Sequence, residues 1–178
     1  MEPPERRDLA ARIREASLLE GDFVLSSGRR SSFYVDKYLF STDPALLRDI
    51  AAGLEGLLPA GVERLAGVEL GAVPLVVAVA LRTGMPYVIV RKEAKGHGTV
   101  RGIEGRLGEG ERVALIEDVT TTGTQAVRAA RRLAEAGAEV AGVVAVLDRR
   151  EGEAGEDLQG FPFRALFRIE DLRAAKAR

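Results

Sequence analysis

Two adjacent acids and a run of hydroxyl side chains follow an apolar segment in VALIEDVTTTGTQ, residues 113–125. The apolar residues predict a buried strand, and a helix is predicted to begin near Gly123. Backbone N–H groups at the start of a helix lack partners within it and bind phosphate, and the threonine hydroxyls add further donors. Glu117 and Asp118 would repel a phosphate. We therefore expect them to meet the hydroxyls of a sugar that carries the phosphate, and to offset positive charge developing on that sugar.

This pattern differs from two common phosphate-binding motifs. It lacks the G-x-G-x-x-G of dinucleotide sites and the G-K-[ST] of the P-loop. A strand–loop–helix connection whose threonines only cap the helix is the alternative interpretation. The complete pattern, two acids followed by Val-Thr-Thr-Thr-Gly-Thr, favours a sugar-phosphate site.

A second candidate segment is RKEAKGHG, residues 91–98, which contains two of the four lysines and the single histidine of the chain. Cations gathered in one segment can stabilise negative charge on a departing group. The segment and its continuation are rich in glycine, which would let them close over a site as a lid. A solvated hairpin without a function is the alternative.

Composition excludes several classes of protein. The 178 residues are 46% hydrophobic and 30% charged, which is typical of one globular domain. The absence of cysteine excludes disulfides and Cys-based zinc sites, and a single histidine excludes a multi-His metal centre. The net charge of −1 gives no sign of nucleic-acid binding. No apolar run is long enough to span a bilayer, and the N-terminus lacks an apolar signal core, so we expect a cytoplasmic protein.

Strands and helices alternate along the predicted chain. The predicted elements are a helix at 5–19, a hairpin or meander at 21–40, a helix that Asp43 caps and Pro44 begins, a strand at 64–70, a helix at 75–84, a strand at 86–92, a strand at 112–118, a helix at 123–137, a strand at 139–149, and a last short strand and helix. Such alternation with continuously apolar strands predicts a parallel sheet covered on both faces. Ligands bind at the carboxyl ends of such strands, so four segments should converge there: 69–74, 91–106, 117–125 and 148–150.

The segment ALIEDVTTTGT resembles the phosphoribosyl-diphosphate (PRPP) motif of the type I phosphoribosyltransferases. Three further segments resemble the orotate phosphoribosyltransferases within that family, in the family's order along the chain. RKEAKGHG is similar to their mobile catalytic loop, R-K-x-x-K-x-H-G. LSSGRRSSFYVD (25–36) is similar to the SGR-x-S-x-x-Y element that lines the orotate site, and LDRREGE (147–153) to their DRQE-like strand end.

The resemblance implies the type I phosphoribosyltransferase fold: α/β, with a central mostly parallel sheet flanked by helices and a small N-terminal hood. It implies one domain over 1–178. The hood would be formed by about residues 20–40 and the C-terminal tail, and the mobile lid by about residues 92–106. It also implies a homodimer in which the lid of one subunit covers the site of the other.

The resemblance also implies roles for individual residues. The catalytic residues would be Lys95, His97 and Asp118. PRPP would be bound by Arg91, Lys92, Lys95, His97, Glu117, Asp118, Val119, Thr120, Thr121, Thr122, Gly123, Thr124 and Gln125. Orotate would be bound by Thr121, Arg149, Phe33 and Tyr34, with Arg149 holding the carboxylate. The implied cofactor is Mg²⁺, which PRPP rather than the protein alone would bring, close to Asp118.

The sequence departs from the family pattern at three positions. Ser26 and Gly71 stand where some members have lysines, and Glu117 stands where aspartate is common. The two lysine contacts are therefore not carried over, although the backbone of 69–72 can still bind diphosphate through its amides. Arg29 or Lys37 are candidates to replace a missing lysine.

Three alternatives stay open from the sequence. A related transferase could use adenine, hypoxanthine or uracil, although those enzymes lack the lid pattern and the arginine at position 149. A PRPP-binding regulator could keep the fold without catalysis, but no basic stripe for nucleic acid is apparent. A doubly wound domain could also bind another phosphorylated sugar. For Arg149 taken alone, a surface ion pair with the neighbouring aspartate is the simplest interpretation.

Overall fold

The structure is a computed structural model that describes residues 2–24, 28, 30–92, 102–150 and 155–175. Its elements in chain order are α1 (Pro3–Ser17), β1 (Leu18–Val24), β2 (Arg30–Val35), α2 (Lys37–Ser41), α3 (Pro44–Glu55), β3 (Arg64–Val68), α4 (Val73–Thr83), β4 (Tyr87–Val90), β5 (Ile103–Glu104), β6 (Arg112–Thr120), α5 (Thr124–Glu135), β7 (Glu139–Asp148), β8 (Asp157–Leu158), β9 (Phe161–Arg168) and α6 (Ile169–Ala174).

Seven strands form the central sheet, in the order β5-β4-β3-β6-β7-β9-β8. The five inner strands run parallel, and the two short edge strands β5 and β8 run antiparallel to their neighbours. The carboxyl ends of β4, β3, β6 and β7 are therefore adjacent along one edge. This order confirms the predicted sheet and the convergence of the segments that leave those strands.

Both faces of the sheet are covered, which explains the continuously apolar strands. In β6, Ala114 and Ile116 face the core shared with α1, α3 and α4, while Val113 and Leu115 face the core shared with α5. All four side chains are buried. Successive residues of a strand point to opposite faces, so burial on both sides requires apolar residues at every position.

The hood contains a hairpin and a short helix. Strands β1 and β2 pair antiparallel in a sheet of their own, which confirms the hairpin predicted after residue 21. The extension of that hairpin or meander to residue 40 was wrong, because Asp36 accepts a hydrogen bond from the Tyr38 N–H and begins α2. Helix α1 ends at Ser17, two residues before the predicted end of the helix, so Leu19 lies in β1 with 42% of its surface exposed.

Several predicted helix ends are confirmed. Asp43 caps α3 by accepting a hydrogen bond from the Leu46 N–H at 2.8 Å, and Pro44 is its first residue. Gly84 ends α4 with a φ of 73°. The last strand and helix are present as β9 and α6, whereas the two-residue strands β5 and β8 were not predicted.

Candidate active site

The loop between β6 and α5 brings backbone donors to the carboxyl edge of the sheet. Helix α5 begins at Thr124, after Gly123, whose φ is 77°. A side chain at this position would be strained, and its Cβ would lie 2.6 Å from the Leu158 side chain. The Thr122 and Thr124 hydroxyls are 2.9 Å apart. The Thr124 N–H also donates to the Thr122 hydroxyl, at 3.4 Å. The first N–H groups of a helix have no partners within the helix, so the start of α5 is suited to bind a phosphate.

Glu117 and Asp118 lie next to this loop in β6, with only 8% and 2% of their surfaces exposed. One Asp118 oxygen is 2.7 Å from the Lys37 ammonium, and the other accepts a hydrogen bond from the Val119 N–H. Two buried oxygens, Glu117 Oε2 and Thr120 Oγ1, have no hydrogen-bond partner among the residues that the structure describes. Buried polar atoms are normally satisfied, so both are suited to receive a ligand.

The surroundings of the Glu117 carboxyl determine its charge state. Burial, followed by repulsion from Asp118, raises the pKa of Glu117 to about 8, so its carboxyl is protonated at neutral pH in the ligand-free protein. Burial by itself lowers the pKa of Lys37, but hydrogen bonding and attraction to Asp118 outweigh it and raise that pKa above its ordinary value. The site thus holds a neutral acid beside a charged pair.

A cavity at this edge brings most of the predicted PRPP residues together. It is lined by every residue from Glu117 to Gln125 and by Lys92, which extends from the end of β4. The lining also includes Lys37 from α2 and Glu69 from the turn after β3. Glu69 Oε1 accepts a hydrogen bond from the Lys92 N–H at 2.6 Å, which joins the ends of two adjacent strands.

Other predicted PRPP residues lie elsewhere. Arg91 does not line the cavity; its guanidinium is 3.7 Å from Glu69 and 3.5 Å from Glu104, and it lines a neighbouring groove beside α5. Lys95 and His97 fall outside the described residues, as do Ser26 and Arg29.

Arg149 lies close to the loop, because its N–H donates to the Thr120 carbonyl at 2.7 Å. Burial lowers the pKa of its guanidinium. The neighbouring carboxylate, Asp148, is held instead by several hydrogen bonds from Arg150 at 3.0 to 3.2 Å. The alternative of an Arg149–Asp148 ion pair is therefore wrong, and no carboxylate in the described part of the chain pairs with Arg149.

An aromatic ring supports Arg149 from the hood. The guanidinium carbon of Arg149 is 5.1 Å from the centre of the Phe33 ring, and that of Arg173 in α6 is 5.5 Å from it. Tyr34, the other predicted orotate residue, is 41% exposed, and its ring centre is 5.8 Å from that of Phe23. Phe33 thus contacts the arginine expected to bind orotate, and direct contact of either ring with the base stays a prediction.

Sequence reasoning missed three features of the site. The side chain of Glu69 and the position of Arg173 beside Phe33 had no sequence signal, because both depend on contacts between distant segments. Lys37 was only one of two candidates to replace a missing lysine. The one available signal was its place directly after a helix-capping aspartate in the hood.

The residues at the cavity fit a magnesium ion that the substrate helps to hold. Within the described ranges, no cluster of three or more His, Asp or Glu side chains could hold a metal. Mg²⁺ is usually bound by one or two carboxylates together with substrate phosphates and water. Glu117 and Asp118, with an unpaired oxygen beside the phosphate loop, provide that partial set.

No helix within the described part of the chain is long and apolar enough to cross a membrane.

The fold and the site are those of a phosphoribosyltransferase. The family model for the phosphoribosyl transferase domain matches residues 45–160, which include α3 and all of the cavity except Lys37. The chain therefore belongs to the phosphoribosyltransferase family.

Relatives within that family are orotate phosphoribosyltransferases. The enzyme of Halobacterium salinarum is 46% identical over 173 residues, which cover 95% of this chain and 97% of that protein. The enzyme of Methanocella arvoryzae is 45% identical over 157 residues, covering 88% and 90%. The crystal structure of the Mycobacterium tuberculosis enzyme in complex with PRPP has a TM-score of 0.79 and 31% identity, and the match covers 96% of this chain and 99% of that chain.

Proposed function

We propose that this protein transfers the phosphoribosyl group of PRPP to N1 of orotate, giving orotidine 5′-phosphate and diphosphate, in the de novo synthesis of UMP. The observation that carries the proposal is the cavity in which an anion-binding helix start and two buried carboxyl groups meet. The relatives named orotate phosphoribosyltransferase support the choice of base.

The 5′-phosphate of PRPP binds to the N–H groups and hydroxyls of residues 121–124. Glu117 and Asp118 meet the 2′ and 3′ hydroxyls of the ribose. Because Glu117 is neutral before PRPP arrives, it can donate a hydrogen bond to one hydroxyl while Asp118 accepts one from the other. Asp118 also offsets positive charge that develops on the ribose during transfer.

Arg149 binds the orotate carboxylate. A guanidinium offers a planar pair of donors that matches a carboxylate, and neither Asp148 nor another described carboxylate competes for it. The Phe33 ring restricts the movement of the guanidinium, so less conformational freedom is lost on binding.

Transfer requires no covalent intermediate with the protein. N1 of orotate forms a bond to C1 of the ribose while the bond from C1 to the diphosphate oxygen breaks, and the diphosphate leaves with the electron pair. The protein contributes orientation and electrostatic stabilisation. Lys92, Lys95 and His97 provide positive charge for the leaving group, and the lid that carries the last two excludes water from the ribosyl centre.

Asp118 would help PRPP to hold Mg²⁺. When bound, the ion would neutralise part of the negative charge of the diphosphate. We also propose a homodimer in which Lys95 and His97 act on the partner's site, and a cytoplasmic location. Restored activity on mixing a Lys95→Ala variant with an Arg149→Ala variant would support the shared site.

An absorbance assay with PRPP and Mg²⁺ tests the function. Orotate should be consumed with release of diphosphate, whereas adenine, hypoxanthine and uracil should not react. Turnover of a neutral base alone would contradict the assignment of orotate. Saturable binding of PRPP with no diphosphate released from any base would instead indicate a regulator.

A further inference from the structure

We infer that Lys37 binds the diphosphate group of PRPP, and so supplies from the hood a cation that the turn at 69–72 does not supply. This inference rests on the proposed function. Lys37 lines the cavity although it lies outside the matched domain, and it comes from a different part of the fold than the loop and the acids.

The local structure directs Lys37 to the site. Val35 at the end of β2 is buried, and Asp36 caps the short helix that begins with Lys37. These contacts fix the backbone that leads into Lys37. The Lys37 side chain extends to Asp118, 81 positions further along the chain. Its ammonium is 2.7 Å from Asp118 Oδ2, and only 31% of the side chain is exposed.

Gly71 makes room for the Asp118 carboxylate and for the ammonium that pairs with it. A Cβ at position 71 would lie 1.6 Å from Asp118 Oδ2 and 2.9 Å from Lys37 Nζ. The φ of Gly71 is not in the left-handed region, so the position requires glycine for space and not for conformation. The turn after β3 thus has no side chain at position 71, next to the Lys37 ammonium.

The ammonium has donors left for a ligand. A lysine carries three N–H groups, and the described residues offer it one strong acceptor, Asp118. The described lining of the cavity contains three acids, Glu69, Glu117 and Asp118, and two lysines, Lys37 and Lys92. A substrate with several phosphate groups needs more positive charge than Lys92 alone provides.

The diphosphate is the group that Lys37 can reach. The helix start at residues 121–124 binds the 5′-phosphate, and the carboxyl groups of Glu117 and Asp118 bind the ribose hydroxyls. The Lys37 ammonium lies beside both Asp118 and Gly71, in the turn at 69–72 where the diphosphate is expected. The remaining anionic group of PRPP is therefore the one beside Lys37.

Calorimetric titration of two ligands separates this role from a merely structural one. PRPP and ribose 5-phosphate share the sugar and its 5′-phosphate, but only PRPP carries the diphosphate. In Lys37→Ala, PRPP affinity should fall by about tenfold to a hundredfold, the loss typical of a charged hydrogen bond. The affinity for ribose 5-phosphate should stay near that of the unaltered protein.

Two further variants sharpen the test. Lys37→Arg keeps a cation at the same position, and it should retain more of the PRPP affinity than Lys37→Ala does. Arg30→Ala is the matched control: it removes a hood cation that pairs with Asp22 at 2.9 Å and does not line the cavity, so binding should not change. If Lys37→Ala does not fold, the same titrations are made with Lys37→Gln.

Unchanged PRPP affinity in the Lys37 variants would overturn the inference. Equal losses for PRPP and ribose 5-phosphate would also overturn it, because Lys37 would then only position Asp118. The proposed function is judged separately, by the turnover of orotate in the unaltered protein. If the unaltered protein does not turn over orotate, the PRPP titrations still decide the role of Lys37.

Discussion

Replacing Glu117 with glutamine should change how the stability of the fold depends on pH. Glu117 has an ordinary pKa of 4.5 and a pKa of about 8 in the folded protein. Between these values the folded state binds more protons than the unfolded state. The contribution of Glu117 to stability is therefore complete below pH 4.5 and is lost as the pH rises towards 8. Through Glu117, the free energy of unfolding changes by at most about 1.4 kcal/mol per pH unit. Over the whole range from pH 4.5 to 8 the change is at most about 5 kcal/mol.

The Glu117→Gln variant keeps the shape of the side chain and cannot ionise. We therefore expect it to lose this decline in stability, and to be more stable than the unaltered protein at pH 8. Asp49 and Glu111 do not interfere, because arginine partners lower their pKa values and their contributions are lost only as the pH falls into the acidic range. Lys37 has a raised pKa, so its contribution is lost only at strongly alkaline pH.

Urea unfolding at pH 5, 6, 7 and 8 measures this effect as the free energy of unfolding. Glu170→Gln is the matched control, because Glu170 is exposed on α6 and should leave the pH dependence of the unaltered protein intact. If Glu117→Gln and the unaltered protein decline in parallel from pH 5 to 8, Glu117 is not a neutral buried acid. The hydrogen bond that it is proposed to donate to the ribose would then have no basis.

Two other substitutions test the loop and the base site. Gly123→Ala should destabilise the fold by about 1–3 kcal/mol, because alanine is strained at a φ of 77° and its Cβ would contact Leu158. Gly110 has a φ of 70° and open space around it. Gly110→Ala should therefore destabilise the fold less in the same unfolding measurement. Equal losses would mean that contact with Leu158 plays no part. Arg149→Lys keeps the charge but loses the planar pair of donors, so the KM for orotate should rise about tenfold or more in steady-state assays with PRPP affinity retained. A KM that does not change would remove Arg149 from the orotate site.

The sequence was sufficient for features that depend on neighbouring residues. The apolar run of β6 and the glycine at the start of α5 are local, so the strand, the loop and the helix start were all predictable from 113–125. The parallel sheet and the shared edge of its carboxyl ends also followed, because alternating strands and helices restrict the connections of a parallel sheet.

Features that depend on distant contacts were not predictable. Pairing of Lys37 with Asp118 requires the hood to lie over the end of β6, and no periodic pattern encodes that placement. The choice between Arg149 and Arg150 as the partner of Asp148 depends on the direction of each side chain after the strand ends. The neutral state of Glu117 depends on its burial in the folded protein.

A crystal structure of the protein with PRPP tests the central claim most directly. We expect the 5′-phosphate on the N–H groups of residues 121–124, the ribose hydroxyls at Glu117 and Asp118, and the diphosphate beside Lys37. PRPP bound at another place, with the cavity at the end of β6 empty, would contradict it.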